Sequence, residues 1–255
     1  MLNESLIHPT AIISDKAVIG KNVQIGQFTT IYDNVEISDN TIIEGYCEIG
    51  VKNHLSEGKK LFIGENSHIR SHSIFYEGSV FEEKLTTGHR VTVREKTIAG
   101  KNLQIGTLSD IQGHCTIGNY VRMHSNVHIG QHSKIGNYIW IFPYVVLTND
   151  PHPPSEVMQG VEVEDFAVIS TMSVILPGIK VSWGCLIGAN SMLSIKTEPN
   201  MLYSGNPAKK VCEASKIRLK DGSRRPAYPW TKHFHRGYPQ EVIKEWEELN
   251  SERII

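Results

Sequence analysis

The chain has almost no surplus of either charge: 26 lysines and arginines face 27 aspartates and glutamates over 255 residues. Such a balance leaves no basic footprint for nucleic acid or an anionic membrane, and we expect neither partner. Long apolar runs are also missing. The longest, Ile139 to Leu147, is broken by Pro143 and is far shorter than the ~20 residues that cross a bilayer. The opening MLNESLIHPT lacks the charged and apolar blocks of a secretory leader, so a cytoplasmic location is expected. Cysteine is scarce, with four in all. Cys47, Cys115 and Cys185 recur at one position of a repeat and read as core filler rather than disulfide or metal ligands, and Cys212 stands alone.

What the chain does have is a six-residue beat. Ile7, Ile13, Ile19, Ile25, Ile31, Ile37, Ile43 and Ile49 keep it; Ile63 and Ile69 restart it in a new phase that reaches Leu147; Val163, Ile169, Ile175, Val181, Ile187 and Leu193 form a third run. Four residues after most of these comes a small or β-branched residue such as Ala17, Thr29, Cys47, Ser67, Ser109 or Ser133. A six-residue period fits neither an amphipathic helix nor a free strand, but it fits a hexapeptide solenoid in which each repeat is a short strand and a turn. Three strands close one triangular coil, so residues eighteen apart stack. The strict count argues against a β-sandwich, whose turns come every 8 to 12 residues. Asn22, Asn34, Asn40, Asn66, Asn102, Asn126 and Asn190 fall at the turn position, where Asn accepts a left-handed backbone.

These repeats, with the closing segment Ser204-Gly205-Asn206-Pro207-Ala208-Lys209-Lys210-Val211, resemble the hexapeptide-repeat acyltransferases. The resemblance implies an all-β fold, a left-handed parallel β-helix over residues 1–211, followed by a short C-terminal extension, 212–255. In that extension Pro239 opens a helix carrying Val242, Ile243, Trp246 and Leu249 at helical spacing. Breaks in the beat mark candidate loops near 51–62, 75–92 and 148–162. Two extra residues are read in the first and four in the last, whose Asn149-Asp150-Pro151-His152-Pro153-Pro154 cannot form ladders. In the middle one, Phe75, Phe81 and Thr87 are poor coil residues.

The eighteen-residue count turns the sequence into columns. Thr92, Asp110 and His128 form one; Arg94, Gln112 and Gly130 form its neighbour, where the missing side chain of Gly130 leaves room for a ligand; His114, His132 and Asp150 form another. Polar residues along the edge of a solenoid need no function to explain them, but the convergence of Arg94, Asp110, Gln112 and His128 also reads as a site, with Asp110 orienting the imidazole. His152 is either a second candidate base or part of a clasp between subunits.

The resemblance implies acyl transfer from acyl-CoA as cosubstrate, with no permanently bound cofactor or metal, in a homotrimer whose grooves lie between prisms. It places Lys196, Gly205, Asn206, Pro207, Lys209 and Lys210 at the charged end of coenzyme A, although a plain terminal turn would look the same. The stretch 106–115, the loop 148–153 and the tail with Tyr228-Pro229-Trp230 and His233 to Tyr238 resemble N-acyltransferases of nucleotide-linked amino-dideoxy sugars for surface glycans. On that resemblance His128, Asp110 and His152 are the catalytic candidates, and Arg90, Arg94, Gln112, His114, Asn149 and Asp150 contact the acceptor, the two arginines on its pyrophosphate. Three other readings stay open at this point: an O-acetyltransferase on another small acceptor, a carbonic-anhydrase-like metalloenzyme with histidines shared between subunits, and a non-catalytic scaffold.

Overall fold

Short strands, most of them two residues long, alternate with left-handed corners to build the prism. In the computed structural model, which describes residues 6–232, 234, 235 and 237–251, each strand pairs in parallel with the strand one coil on, as Asp110–Ile111 does with His128–Ile129. Among the described residues this gives three sheets of twelve, ten and nine strands, taken below as the first, second and third face. On the second face the second residue of each strand from Thr30–Ile31 to Val146–Leu147 points inward: Ile31, Ile49, Phe75, Val93, Ile111, Ile129 and Leu147, none more than 1% exposed. The recurrent hydroxyl position is also inside, and its bonds explain the residue type. Ser109 Oγ donates to His124 O at 3.0 Å and accepts from Val127 N at 3.0 Å, stitching one coil to the next at a corner that would otherwise bury unpaired backbone. The thiols at the same position stay protonated, because burial pushes Cys47 and Cys115 up to about 11.

Corner residues take φ near +55° to +62° whatever their type, Asn22, Asn40, Asn66, Asn102, Asn126 and Asn190 among them. Asn34 does not; its side chain instead donates to Gly58 O at 2.7 Å. Residues other than Asn lose roughly 1–2 kcal/mol at such an angle, and at the corner between the third and first faces packing offsets the loss. Tyr120, Tyr138 and Phe166 stack there with ring centroids 5.6 and 4.9 Å apart, and Trp183 continues the column at 5.7 Å.

Three expectations about the breaks need correcting. Register partners Ile37 and Ile63 are 26 residues apart, so the first excursion holds eight extra residues where the beat suggested two. Ile135 and Val163 are 28 apart, so the second holds ten, where four were read. A repeating signal reports an insertion only as its remainder after division by six. The loop expected at 75–92 does not exist: strands Ile74–Tyr76, Val80–Phe81, Thr86–Thr87 and Thr92–Val93 continue the ladder. Phe75 and Phe81 fit inside because they meet edge to face at 5.4 Å and Phe81 stacks on the small Ala99 of the next coil.

After the last coil, Met201–Gly205 and Ala208–Glu213 form an antiparallel hairpin. The chain then folds back over the aromatic corner. Helix α1, Gln240–Leu249, is preceded by Pro239 and buries Val242, Ile243 and Trp246 on one stripe. Trp246, fully buried, meets Tyr138 at 4.9 Å, Tyr238 at 5.0 Å and Trp230 at 5.5 Å. Arg122 lies over the Tyr238 ring at 4.6 Å. His233 and Arg236, named above with the tail, lie outside the described residues, as does the side chain of Leu249. Among the described residues no helix is long and apolar enough to cross a membrane.

Candidate active site

Both excursions leave the prism at the same corner, between the second and third faces. The first follows strand Glu48–Val51 and rejoins at Leu61–Ile63; the second follows Val146–Leu147 and rejoins at Glu162–Val163. The uninterrupted coils between them carry Arg94, Gln112, His114 and His132 at that corner, with Asp110 and His128 on the adjoining second face.

Asp110 and His128 are register partners, so their outward side chains must stack, and His128 Nδ1 lies 3.0 Å from Asp110 Oδ1. A carboxylate accepts, so Nδ1 carries the proton of this bond, and Nε2 is the ring nitrogen not engaged by Asp110. Gln112 donates to the other Asp110 oxygen. Burial raises the Asp110 pKa, but the hydrogen bonds from His128 and Gln112 and the attraction of His128 outweigh it, so the carboxyl is held below its usual range. Both side chains keep about a third of their surface exposed, which leaves the pair reachable.

Around this dyad the other candidates separate. The Gly130 position offers no room: a β-carbon there would meet Leu147 O at 2.7 Å and Asn149 Cβ at 3.1 Å, so the glycine serves close stacking of the next coil. Asn149 therefore seats on Gly130 and, through its carbonyl, accepts from Gln159 N at 2.8 Å, closing the neck of the second excursion. Asp150 does not continue the column of His114 and His132. Lys134 pairs with Glu162, which brings Gly160 over His132, and the Asp150 carboxylate accepts from the N–H of His152 at 3.0 Å and of Ser155 at 3.3 Å inside its own loop. His152 is thus held on the excursion and not on the face that carries His128.

Arg90 and Arg94 stand beyond opposite ends of strand Thr92–Val93, at two different corners. Arg94 is gripped by its neighbour: its Nε and Nη2 lie 3.3 and 3.2 Å from the oxygens of Glu95, whose side chain is fully buried. His114 packs against His132 with centroids 5.2 Å apart. Burial, then the charges of His132 and Lys96, lower its pKa, with Glu95 and Glu57 opposing, so the ring is neutral at pH 7. Lys196, Gly205, Asn206, Pro207, Lys209 and Lys210 gather at the far end of the prism, three coils or about 14 Å beyond His128. Lys210 there pairs with Glu198 at 2.6 Å, while Lys196 and Lys209 are exposed.

Glu77 and Glu95 were not anticipated, though they stand eighteen residues apart and stack under the first excursion. Asn53 Nδ2 donates to Glu95 Oε2 at 2.7 Å and Ser56 Oγ to Glu77 Oε1 at 2.5 Å, and Asn53 Oδ1 caps the short turn His54–Ser56. The two buried carboxylates thereby fix the loop and, through Arg94, the edge of the site. For Glu95 burial opposes ionisation, but the hydrogen bonds from Asn53 and from its own N–H, together with Arg94, prevail and lower its pKa. A lowered folded-state value stabilises the protein above the unfolded pKa of ~4.3, and that stabilisation is lost as pH falls through the folded value. Glu95→Gln should therefore flatten the fall in urea midpoint between about pH 5 and 3; an unchanged slope would show that Glu95 is not linked to folding.

The fold and the site can now be set beside known proteins. A family model described as the GMPPB C-terminal domain matches residues 1–102. The acyl-[acyl-carrier-protein]–UDP-N-acetylglucosamine O-acyltransferase of Saccharophagus degradans is 32% identical over 140 residues, 52% of this chain and 49% of that one. The protein with the same description from Sinorhizobium fredii is 27% identical over 213 residues, 81% of this chain and 70% of that one. The solved UDP-N-acetylglucosamine acyltransferase of Campylobacter jejuni superposes with a TM-score of 0.54 at 19% identity, covering 95% of this chain and 82% of that one, which shows a shared fold. The chain is thus similar in repeat and in fold to the hexapeptide-repeat, left-handed β-helix acyltransferases. It spans about half the length of the Saccharophagus relative. No cluster of three His, Cys, Asp or Glu that could hold a metal occurs among the described residues.

Proposed function

We propose that the chain transfers an acyl group from a thioester carrier to the amine of a nucleotide-linked amino-dideoxy sugar, with His128 as general base and Asp110 as the group that orients it. The observation that carries the reading is the His128–Asp110 pair, built by strand register on an open face beside a corner bracketed by two excursions. The acceptor nitrogen attacks the thioester carbonyl carbon and gives a proton to His128 Nε2. The tetrahedral intermediate then collapses, the C–S bond breaks, and the thiolate leaves and takes up a proton. Asp110, ionised, stabilises the imidazolium formed on the way. We assign acyl-CoA as donor, its charged end at Lys196, Lys209 and the Gly205–Asn206–Pro207 turn, and a cytoplasmic homotrimer as the working form, the groove between prisms receiving the pantetheine arm.

A second reading has its own support. The relatives are described as O-acyltransferases using an acyl-carrier protein, and a hydroxyl depends on a base more than an amine does. Purified protein incubated with acetyl-CoA, longer acyl-CoAs or acyl-carrier protein and a panel of nucleotide-linked sugars separates the two. Thiol release that requires an amino sugar, with a product stable to hydroxylamine, supports N-acyl transfer. A hydroxylamine-labile product replaces it with O-acyl transfer, and no release with any pair sinks both.

A further inference from the structure

The near-equal totals of positive and negative charge conceal a segregation, so the net charge is no guide to each surface. Residues 209–232 hold eight lysines and arginines against Glu213 and Asp221, which leaves 18 cations and 25 acids for the rest of the chain. Five of the eight, Lys216, Arg218, Lys220, Arg224 and Arg225, lie on one short hairpin of the tail. Leu219 N donates to Arg225 O at 2.9 Å and Ala227 N to Ile217 O at 2.7 Å, and Arg218 bridges to Pro226 between these bonds.

Apolar residues anchor the hairpin and charged ones face outward. From Lys216 to Lys220 exposure alternates: Ile217 and Leu219 are half-buried, Ile217 against the aromatic core of the tail, while the three cations are exposed. Lys220 to Pro226 are then exposed without a break, so the tip projects. Its turn is fixed from within. Asp221 Oδ1 accepts from Ser223 N at 2.9 Å and from Ser223 Oγ at 2.6 Å, and Arg225 Nε donates to Ser223 Oγ at 3.2 Å. Arg225 Nη2 lies 3.6 Å from Asp221 Oδ2. Among the described residues Lys216, Arg218, Lys220 and Arg224 form no ion pair, with the exposed glutamates of helix α1 or any other acid.

We propose that this hairpin docks the protein on an anionic lipid surface. A flat anionic surface asks only for several cations that reach one plane, each adding about fivefold to the affinity. A protein partner fits less well, because protein interfaces bury an apolar or aromatic centre and are depleted in lysine. The projecting tip, Lys220 to Pro226, offers no large apolar side chain for such a centre. Single-stranded nucleic acid stacks its bases on aromatic rings, and residues 216–227 contain none. A duplex lying along the prism would meet the surplus of acids there, whereas a plane meets the tip alone. The proposal stands apart from the acyl-transfer reading, and its test needs no turnover.

The intact protein should sediment with phosphatidylcholine vesicles containing about 30% phosphatidylglycerol and stay in solution with phosphatidylcholine alone. Raising the salt from about 50 mM to about 500 mM should release it, because screening shortens the reach of exposed charges. The triple variant Lys216→Gln, Arg218→Gln, Lys220→Gln should bind the anionic vesicles about 100-fold more weakly. A control that removes as many exposed cations from the prism, Lys21→Gln, Lys52→Gln, Lys134→Gln, should keep wild-type binding. Circular dichroism should show both variants folded. No salt-sensitive binding to the anionic vesicles, or equal loss in the hairpin variant and the control, would overturn the proposal. Hairpin-dependent binding to poly-glutamate but not to vesicles would overturn it in favour of an acidic protein partner.

Discussion

His128→Asn is expected to lower kcat at least tenfold, and by as much as 10²–10⁴ if proton removal governs the rate. Asparagine can still offer an N–H toward Asp110, so the register pair and the fold survive while the lone pair at Nε2 is lost. KM for both substrates should change little, because the imidazole acts on the proton and not on binding. Asp110→Asn should also slow the reaction, by freeing the imidazole to adopt the wrong tautomer. The carboxyl of Asp110 is held low, so wild-type activity should not fall through Asp110 protonation until pH drops below the ordinary carboxylate range. Rates of His128→Asn within twofold of wild type from about pH 6 to 9 would remove His128 from proton transfer and leave the departing thiolate as the proton acceptor.

The largest effect on stability is expected from Trp246→Ala. Truncating a fully buried aromatic of this size costs about 3–5 kcal/mol, and here the loss falls on the contact between helix α1 and the Tyr138–Phe166 column. The prism has its own core of stacked aliphatics, so the tail should loosen before the coils do. Hydrogen exchange should show residues 228–250 losing protection while the Ile105–Ile129 ladder keeps it. Global unfolding with a single midpoint lowered by the full amount would mean instead that tail and prism fold as one unit.

The dyad was legible in the sequence because the eighteen-residue count runs unbroken from Phe75 to Leu147, so adding eighteen to Asp110 lands on its partner. Beyond Leu147 the same arithmetic fails. Adding eighteen to His132 gives Asp150, whereas the ten-residue excursion puts Gly160 there. Glu77 and Glu95 keep the spacing, but only a loop folded across them makes two carboxylates internal. The aromatic column breaks for the same reason as the His132 column: Tyr138 and Phe166 are twenty-eight residues apart in sequence and one coil apart in space.

That both excursions depart from one corner bears on how the molecule can be rebuilt. Each leaves the prism after one strand and returns at the next, so neither adds a rung to the ladder, although Asn53 and Ser56 of the first must be kept as the partners of Glu95 and Glu77. The two corner segments are in this sense inserts on a fixed chassis: their length can change while the strands that align Asp110 with His128 keep their register.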